Sequence, residues 1–339
     1  MALSVGLVGA GPWAHAFHAP MIAAGPETVL SAVWARRPEA AKELAGAFSH
    51  PPAGSGSRVG EGSDPGSGSR TGPEPQPDAE SRPGPEPRSG SGGPVQVAPS
   101  FDALLDACDA VVFAVPPDVQ AHYAPLAAAA GKALLLEKPL GLTLAQAEAV
   151  AAAVAEAGVV SQLMLTYRFM RPIRAFLDQA AVAGAPIGAV AAYVSGAARP
   201  GAYFATPWRV ANGALLDLGP HVLDLLDAAV GPIVAVRGAA GDPRRWFAAT
   251  VEHDNGALSQ VTLSLTTPVD PEVFTVRLYT ASGELVLENV GETDDVAHQS
   301  AIRATFAEAV AAGRSPALNA DRGLYLQRII DQAARAAAG

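Results

Sequence analysis

Three side chains in this sequence have the chemical types needed to exchange a proton beside a polarised oxygen: Lys138, Asp217 and His221. Asp217 and His221 lie four apart in the otherwise apolar stretch "ALLDLGPHVLDLLD", residues 214–227. On a continuous helix that spacing puts them about one turn apart on one face. Gly219-Pro220 intervenes, and proline is best tolerated in a first helical turn, so the helix either runs through or begins there with Asp217 at its entrance. An imidazole titrates close to neutrality and suits both taking and giving a proton; a core histidine bonded to a carbonyl is the bland alternative. Asp224, a turn further on, either touches His221 or serves as a solvated or capping acid.

Lysine usage adds a second clue. Only Lys42, Lys132 and Lys138 occur among 23 basic residues, the rest being arginine. An ammonium is compact and can change its protonation when buried, unlike a guanidinium. Lys138, at the end of the apolar run "KALLLEKP", is placed to bond a reacting oxygen and stabilise its developing charge, unless it is a surface strand end.

These groups need elements to hold them. "LSVGLVGA", "TVLSAVWA", "VQVA", "DAVVFAVP" and "KALLLEKP" read as strands without polar alternation, each separated from the next by a helical run, which indicates a parallel sheet covered on both faces. A helix at "TLAQAEAVAAAVAEAG" leads into "VVSQLMLTYRF", read as a further strand. Past Arg171, alternating runs such as "AVAAYVSGAA", "RRWFAATVEH", "ALSQVTLSLTT" and "EVFTVRLYTA" suit a mostly antiparallel sheet, closed by the helix "LYLQRIIDQAARAA". The expected fold class is α/β: an N-terminal doubly wound Rossmann sheet, residues 1–139, followed by an α+β domain with a large, open, mostly antiparallel sheet, residues 140–339. Residues 50–94 contain no Leu, Ile, Met or aromatic residue and are expected to form a disordered Gly/Pro/Ser-rich insert, either a drifting linker or a partner-binding loop.

Between the first strand and first helix the chain supplies Gly9-x-Gly11-x-x-Ala14. Glycines there allow a tight turn and close approach of a pyrophosphate, and a small third residue lets helix and strand pack. At the end of the second strand, where an acid would bond the adenosine ribose of NAD, stands Ala35, followed by Arg36 and Arg37, which can pair with a 2′-phosphate. NADP is therefore preferred over NAD, with Glu39 near enough to keep NAD in play. Gly9, Gly11, Pro12, Trp13, Ala35, Arg36, Arg37, Val115, Pro116, Glu137 and Lys138 are expected to contact the dinucleotide. Oxidising an alcohol with it requires a hydride to leave carbon and a proton to leave oxygen.

The order Gly9-x-Gly11-x-x-Ala14, "VPPDVQAH", "AGKALLLEKPL" and "NGALLDLGPHVLD" resembles the Gfo/Idh/MocA oxidoreductases over nearly the whole chain outside the insert. The resemblance implies a Rossmann domain binding NAD or NADP and an open-sheet domain supplying substrate contacts and subunit interfaces. It carries the lysine of Glu-Lys-Pro onto Lys138, with a cis bond to Pro139, and the aspartate and histidine onto Asp217 and His221. Asn212-Gly213 replaces the usual double glycine, Asp118 replaces an asparagine or threonine, and the insert is foreign to the family. His221 is assigned as proton acceptor, Lys138 as polariser of the oxygen, and Asp217 as the group that orients the imidazole or bonds a neighbouring hydroxyl. Arg168, Tyr203, Trp208 and Arg209 are expected to line a pocket for a polyhydroxylated or anionic ligand, and His15 and His18 to pack. A glycoside hydrolase using bound NAD transiently, or a dinucleotide-sensing regulator, are the alternatives.

The remaining features narrow the class. A net charge of -10 argues against general affinity for nucleic acid. No long uncharged apolar run suggests a membrane span, the start has no basic secretory n-region, and Cys108 has no partner for a disulfide, so a cytoplasmic enzyme is expected. No cluster demands a metal. A half-amphipathic sheet invites pairing as a homodimer or homotetramer.

Overall fold

A computed structural model describes residues 1–49, 93–288, 290 and 295–339. The expected insert, apart from residues 93–94, lies outside the described residues. The first sheet comprises β1 (Leu3–Val8), β2 (Thr28–Trp34), β3 (Gln96–Val97), β4 (Ala110–Phe113), β5 (Ala133–Leu136) and β6 (Ser161–Leu163). All pairings are parallel, in the order β3-β2-β1-β4-β5-β6. This is the doubly wound arrangement, whose strand order reverses beside β1 and leaves a crevice at the carboxyl ends of the strands. Every residue of β4 and β5 is buried, as strands covered on both faces require. The covering helices are α1 (Ala19–Ala23), α2 (Pro38–Ser49), α3 (Phe101–Asp106), α4 (Pro117–Ala129) and α5 (Leu144–Ala157). Because β6 pairs with β5, the sheet extends past the boundary expected at residue 139. The strand expected over 159–169 is confined to β6; a 3₁₀ turn, Thr166–Phe169, follows it.

The second sheet has the order β12-β11-β7-β10-β9-β8. Its strands are β7 (Pro186–Val194), β8 (Ile233–Asp242), β9 (Trp246–His253), β10 (Leu258–Ser264), β11 (Val273–Thr280) and β12 (Gly283–Glu288). Only β7 and β10 run parallel; the other pairings are antiparallel. The strands bury one face and expose the other, as in the alternation of β9 and β11. Against the buried face pack α7 (Pro207–Asp217) and α8 (Gly219–Val230), with α6 (Arg171–Val182) nearer β12.

Two further helices return the chain to the Rossmann half: α9 (Asp295–Ala312) and α10 (Ala320–Ala338). Arg303 of α9 bonds Glu27 at 2.7 Å and the carbonyl of Met21 at 2.9 Å, while α10 packs on α5 and β6. Neither α6 nor α9 was expected from the alternating texture of the second half. In α6 the buried Ile173, Phe176 and Ala180 follow helical spacing, whereas α9 carries only a weak apolar stripe.

The stretch bearing Asp217 and His221 is two helices rather than one. Asp217 ends α7, Leu218 intervenes, and Pro220 sits in the first turn of α8, where its missing N–H is not needed. Gly213 breaks α7 with φ of 74°, and a Cβ there would lie 2.2 Å from the Pro243 carbonyl oxygen. That close approach, with the positive φ, leaves glycine as the residue that fits at the kink.

Candidate active site

Two clefts hold residues singled out in the sequence, one on the Rossmann half and one lined from both halves of the chain. The first, about 930 Å³ and open to solvent, is lined by Gly9, Ala10, Gly11, Trp34, Ala35, Arg36, Arg37, Val115 and Pro116, at the carboxyl ends of β1, β2 and β4. Gly9 has φ of +111°, and a Cβ on it would strike the Ala114 carbonyl oxygen at 2.4 Å. A Cβ on Gly11, by contrast, would meet nothing within 4 Å. The first glycine thus lets two strand ends close together, and the second leaves open room over the turn, as a pyrophosphate cradle requires. Arg36 and Arg37 are exposed and enter no ion pair among the described residues, whereas Glu39 is held by Lys42 at 2.9 Å. Pro12 is exposed beside this cleft, and Trp13 faces the second one.

The second cleft, about 690 Å³ and also open to solvent, is lined by Lys138, Asp217 and His221 together with Trp13, Glu137, Thr166, Tyr167, Tyr193, Ser195, Phe204 and Arg209. Lys138 and Asp217, 79 residues apart in sequence, meet there. The ammonium donates to Asp217 Oδ1 at 2.7 Å and to the Asp217 carbonyl at 2.8 Å. Arg209 Nε donates to the other carboxylate oxygen at 3.0 Å. Burial works against an ionised Asp217, but Lys138 and then Arg209 more than offset it, and the carboxyl lies below its ordinary range. No hydrogen bond joins Asp217 to His221, so the expected orienting contact is not what holds the imidazole. His221 instead stacks on Tyr167, ring centroids 4.4 Å apart, and its buried Nδ1 has no hydrogen-bond partner among the described residues. Burial pushes the imidazole well below its usual value; the Lys138 charge adds to this, and Asp217 opposes it only in part. The ring is accordingly neutral at physiological pH and able to accept a proton.

Lys138 is set by its own local structure. The Lys138-Pro139 bond is cis, and buried Gln120 of α4 clasps the main chain on both sides of it. Its amide donates to the carbonyls of Glu137 at 2.8 Å and Leu140 at 3.3 Å and accepts from the Glu137 N–H at 2.7 Å. Glu137, expected at the dinucleotide, has its carboxylate engaged by protein donors: Trp13 Nε1 at 2.8 Å, His18 Nε2 at 2.7 Å and the Lys138 N–H at 3.1 Å.

Of the four pocket residues expected from sequence, Arg209 lines the cleft. Arg168 does not: its guanidinium is spent on buried Asp224 at 3.0 Å. Tyr203 is 65% exposed and touches the neighbouring Phe204 ring. Trp208 lies beneath the Arg209 guanidinium, 5.0 Å from ring centroid to charge. Cleft residues missed include Phe204, Tyr167, Tyr193, Thr166 and Ser195. The tyrosine hydroxyls are 2.6 Å apart, and both are pushed up by burial and stay neutral. Nothing in their spacing marks them, since three separate segments bring them together. Asp224 neither touches His221 nor meets solvent: Arg322 holds it at 2.6 Å and Arg168 from the other side. Among the described residues no group of three or more His, Cys, Asp or Glu is placed to hold a metal ion, and no helix is long and apolar enough to cross a membrane.

Residues 3–165 match the model of an oxidoreductase family with an NAD-binding Rossmann fold, and residues 173–286 match the GFO/IDH/MocA C-terminal domain. A D-xylose 1-dehydrogenase (NADP(+)) of Haloferax volcanii is 26% identical over 265 residues, 68% of this chain and 79% of that protein. The WlbA dehydrogenase of Bordetella pertussis, solved with NADH and UDP-GlcNAcA, superposes with a TM-score of 0.77 at 18% identity, covering 100% of this chain and 97% of that one. A levoglucosan dehydrogenase in complex with NADH and L-sorbose gives 0.76 at 19% identity, with the same coverage.

Proposed function

The chain belongs to the Gfo/Idh/MocA oxidoreductases, and from that premise we propose that it is a dehydrogenase or reductase acting on a secondary alcohol or ketone of a small sugar, cyclitol or similar metabolite. The observation that carries this is the meeting of Lys138, Asp217 and His221 in one cleft, whose wall also includes Trp13, two residues past Gly11 of the phosphate turn. The sugar dehydrogenases named above support the substrate class.

The Gly9–Gly11 turn would hold NADP, with Arg36 and Arg37 placed to pair with its 2′-phosphate, and the bound dinucleotide would supply or take the hydride. The protein manages the other half of the reaction. His221, kept neutral by burial, takes the hydroxyl proton as the alcohol is oxidised and returns it in the reverse direction. Lys138 donates a hydrogen bond to the same oxygen and stabilises negative charge developing on it. Asp217, pinned between Lys138 and Arg209, holds the ammonium in place and offers its carboxylate to a neighbouring substrate hydroxyl. Tyr167 buttresses the imidazole by stacking.

The exposed face of the second sheet supports assembly as a homodimer or homotetramer. Strand register places Val190, Trp246, Leu258, Tyr279 and Val286 on the side away from the helices, each more than 40% exposed. A screen of sugars and cyclitols with NAD⁺ and NADP⁺, following absorbance of the reduced nicotinamide, tests the reading: turnover of at least one polyol is expected, faster with NADP⁺. Dinucleotide binding without turnover on any of them would refute it. Replacing Ala35→Asp together with Arg36→Leu is expected to move the preference toward NAD⁺.

A further inference from the structure

The helix that follows the phosphate loop opens irregularly. Ala14–His18 is a π-helical turn, closed by the Ala19 N–H bonding the Ala14 carbonyl. Five residues overshoot one turn of α-helix by about 140°, but i→i+5 bonding brings residues five apart onto one side. Trp13 and His18 are five apart. Their indole and imidazole N–H groups converge on a single atom, Glu137 Oε1, at 2.8 Å and 2.7 Å. His18 is fully buried and its Nδ1 has no hydrogen-bond partner among the described residues. A buried polar ring that leaves one nitrogen unsatisfied is retained at a cost, and its other nitrogen serves only Glu137. The second Glu137 oxygen accepts from the Lys138 N–H at 3.1 Å, and Gln120 fixes the peptide on either side.

We propose that Trp13, His18 and Glu137 form a positioning clamp that ties the first helix of the dinucleotide cradle to the Lys138 main chain, so that the cradle and the ammonium keep a fixed separation. The inference rests on the reading of Lys138 as the group that polarises the reacting oxygen. Glu137 is then a positioning residue rather than a cofactor ligand, and the π-turn is the device that lets two side chains of one helix share one carboxylate. Burial works against an ionised Glu137, but His18, Lys138 and Trp13 hold its carboxyl below the ordinary range, so it stays an acceptor for all three donors.

The test uses the full chain and two readouts. The first is turnover on whichever polyol the wild type oxidises, resolved into kcat and KM. The second is the rate at which an amine-directed succinimidyl ester labels Lys138, mapped by mass spectrometry with exposed Lys42 as internal reference, which is clean because the chain holds three lysines. His18→Phe and Glu137→Gln are expected to lower kcat by about 30- to 100-fold with KM changed less than about threefold, and to speed Lys138 labelling at least fivefold. His18→Gln, whose amide nitrogen reaches the place of Nε2, is expected to restore kcat to within about fivefold of wild type. Wild-type kcat and wild-type Lys138 labelling in His18→Phe would overturn the clamp, as would equal losses in His18→Phe and His18→Gln. If the wild-type chain turns over no polyol, the functional reading fails, and the labelling arm still decides the clamp.

Discussion

Asp217 and Asp224 sit seven residues apart in the same apolar stretch, one ending α7 and one within α8, both buried, each between two cations. Their partners differ in place rather than in kind. Lys138 and Arg209, which hold Asp217, line a cleft that opens to solvent. Arg168 and Arg322, which hold Asp224, lie between α8, α10 and the turn after β6; Arg322 also bonds Asp227 at 2.7 Å. One carboxylate is therefore available to a ligand and the other only to its neighbours. A buried, doubly paired acid becomes a site only where a cleft reaches it, because pairing alone serves packing and chemistry equally well.

Substitutions sharpen this contrast. The largest effect is expected from Lys138→Met, which removes the donor to the reacting oxygen: steady-state turnover should fall about 10³-fold, while calorimetry shows dinucleotide affinity nearly unchanged. Wild-type turnover would remove Lys138 from the chemistry. Asp224→Asn should instead destabilise by about 3–5 kcal/mol in denaturant melts, because it leaves the Arg168 guanidinium without its carboxylate and Arg322 with Asp227 alone, with turnover per folded molecule preserved. Asp217→Asn should show the opposite pattern, about 10²-fold in turnover with a smaller shift in the melt. If both asparagine variants lose activity and stability alike, the distinction between the two acids fails.

The pH dependence separates the regions again. Neutral His221 is the proton-accepting form, and its folded-state value lies well below the ordinary 6.5. Oxidation should therefore hold level as pH is lowered through 6.5 and decline only beneath it; an acid limb centred above 6.5 would contradict the burial-driven shift. The same depression means that the unfolded chain binds a proton before the folded one does. Stability contributed by neutral His221 is thus complete above pH 6.5 and lessens as pH falls through that value. The smallest effect is expected from Arg168→Met, which leaves Arg322 on Asp224 and should cost about 1.5–3 kcal/mol without altering KM. A raised KM would return Arg168 to the substrate cleft.

Much of the Rossmann half was legible because its signals are local. An unbroken apolar run buried on both faces reads as a parallel strand, and Gly9 and Gly11 are demanded by one turn whose geometry involves few residues. Lys138 stood out by composition, as one of three lysines in a chain that favours arginine. In the second half α6 and α9 were not anticipated: the helical spacing of Ile173, Phe176 and Ala180 is present in the sequence among strand-like runs, while the weak stripe of α9 acquires meaning only against a partner surface. The cleft fared similarly: Arg209 was found, but Arg168, Tyr203 and Trp208 were drawn by type and proximity to places that other side chains occupy.

By itself the amino-acid sequence determined the order of strands and helices in the Rossmann half, the phosphate turn and, through the family resemblance, the lysine, aspartate and histidine that share a cleft. Such features depend on periodicity, on glycine's conformational range and on side-chain chemistry, each readable within a short window. Only tertiary structure decided that Asp217 pairs with Lys138 rather than with His221, that Asp224 is an internal tie, and that Glu137 turns toward Trp13 and His18. Those outcomes turn on which groups from distant segments lie within about 3 Å once the core has closed, a distance that no spacing along the chain encodes.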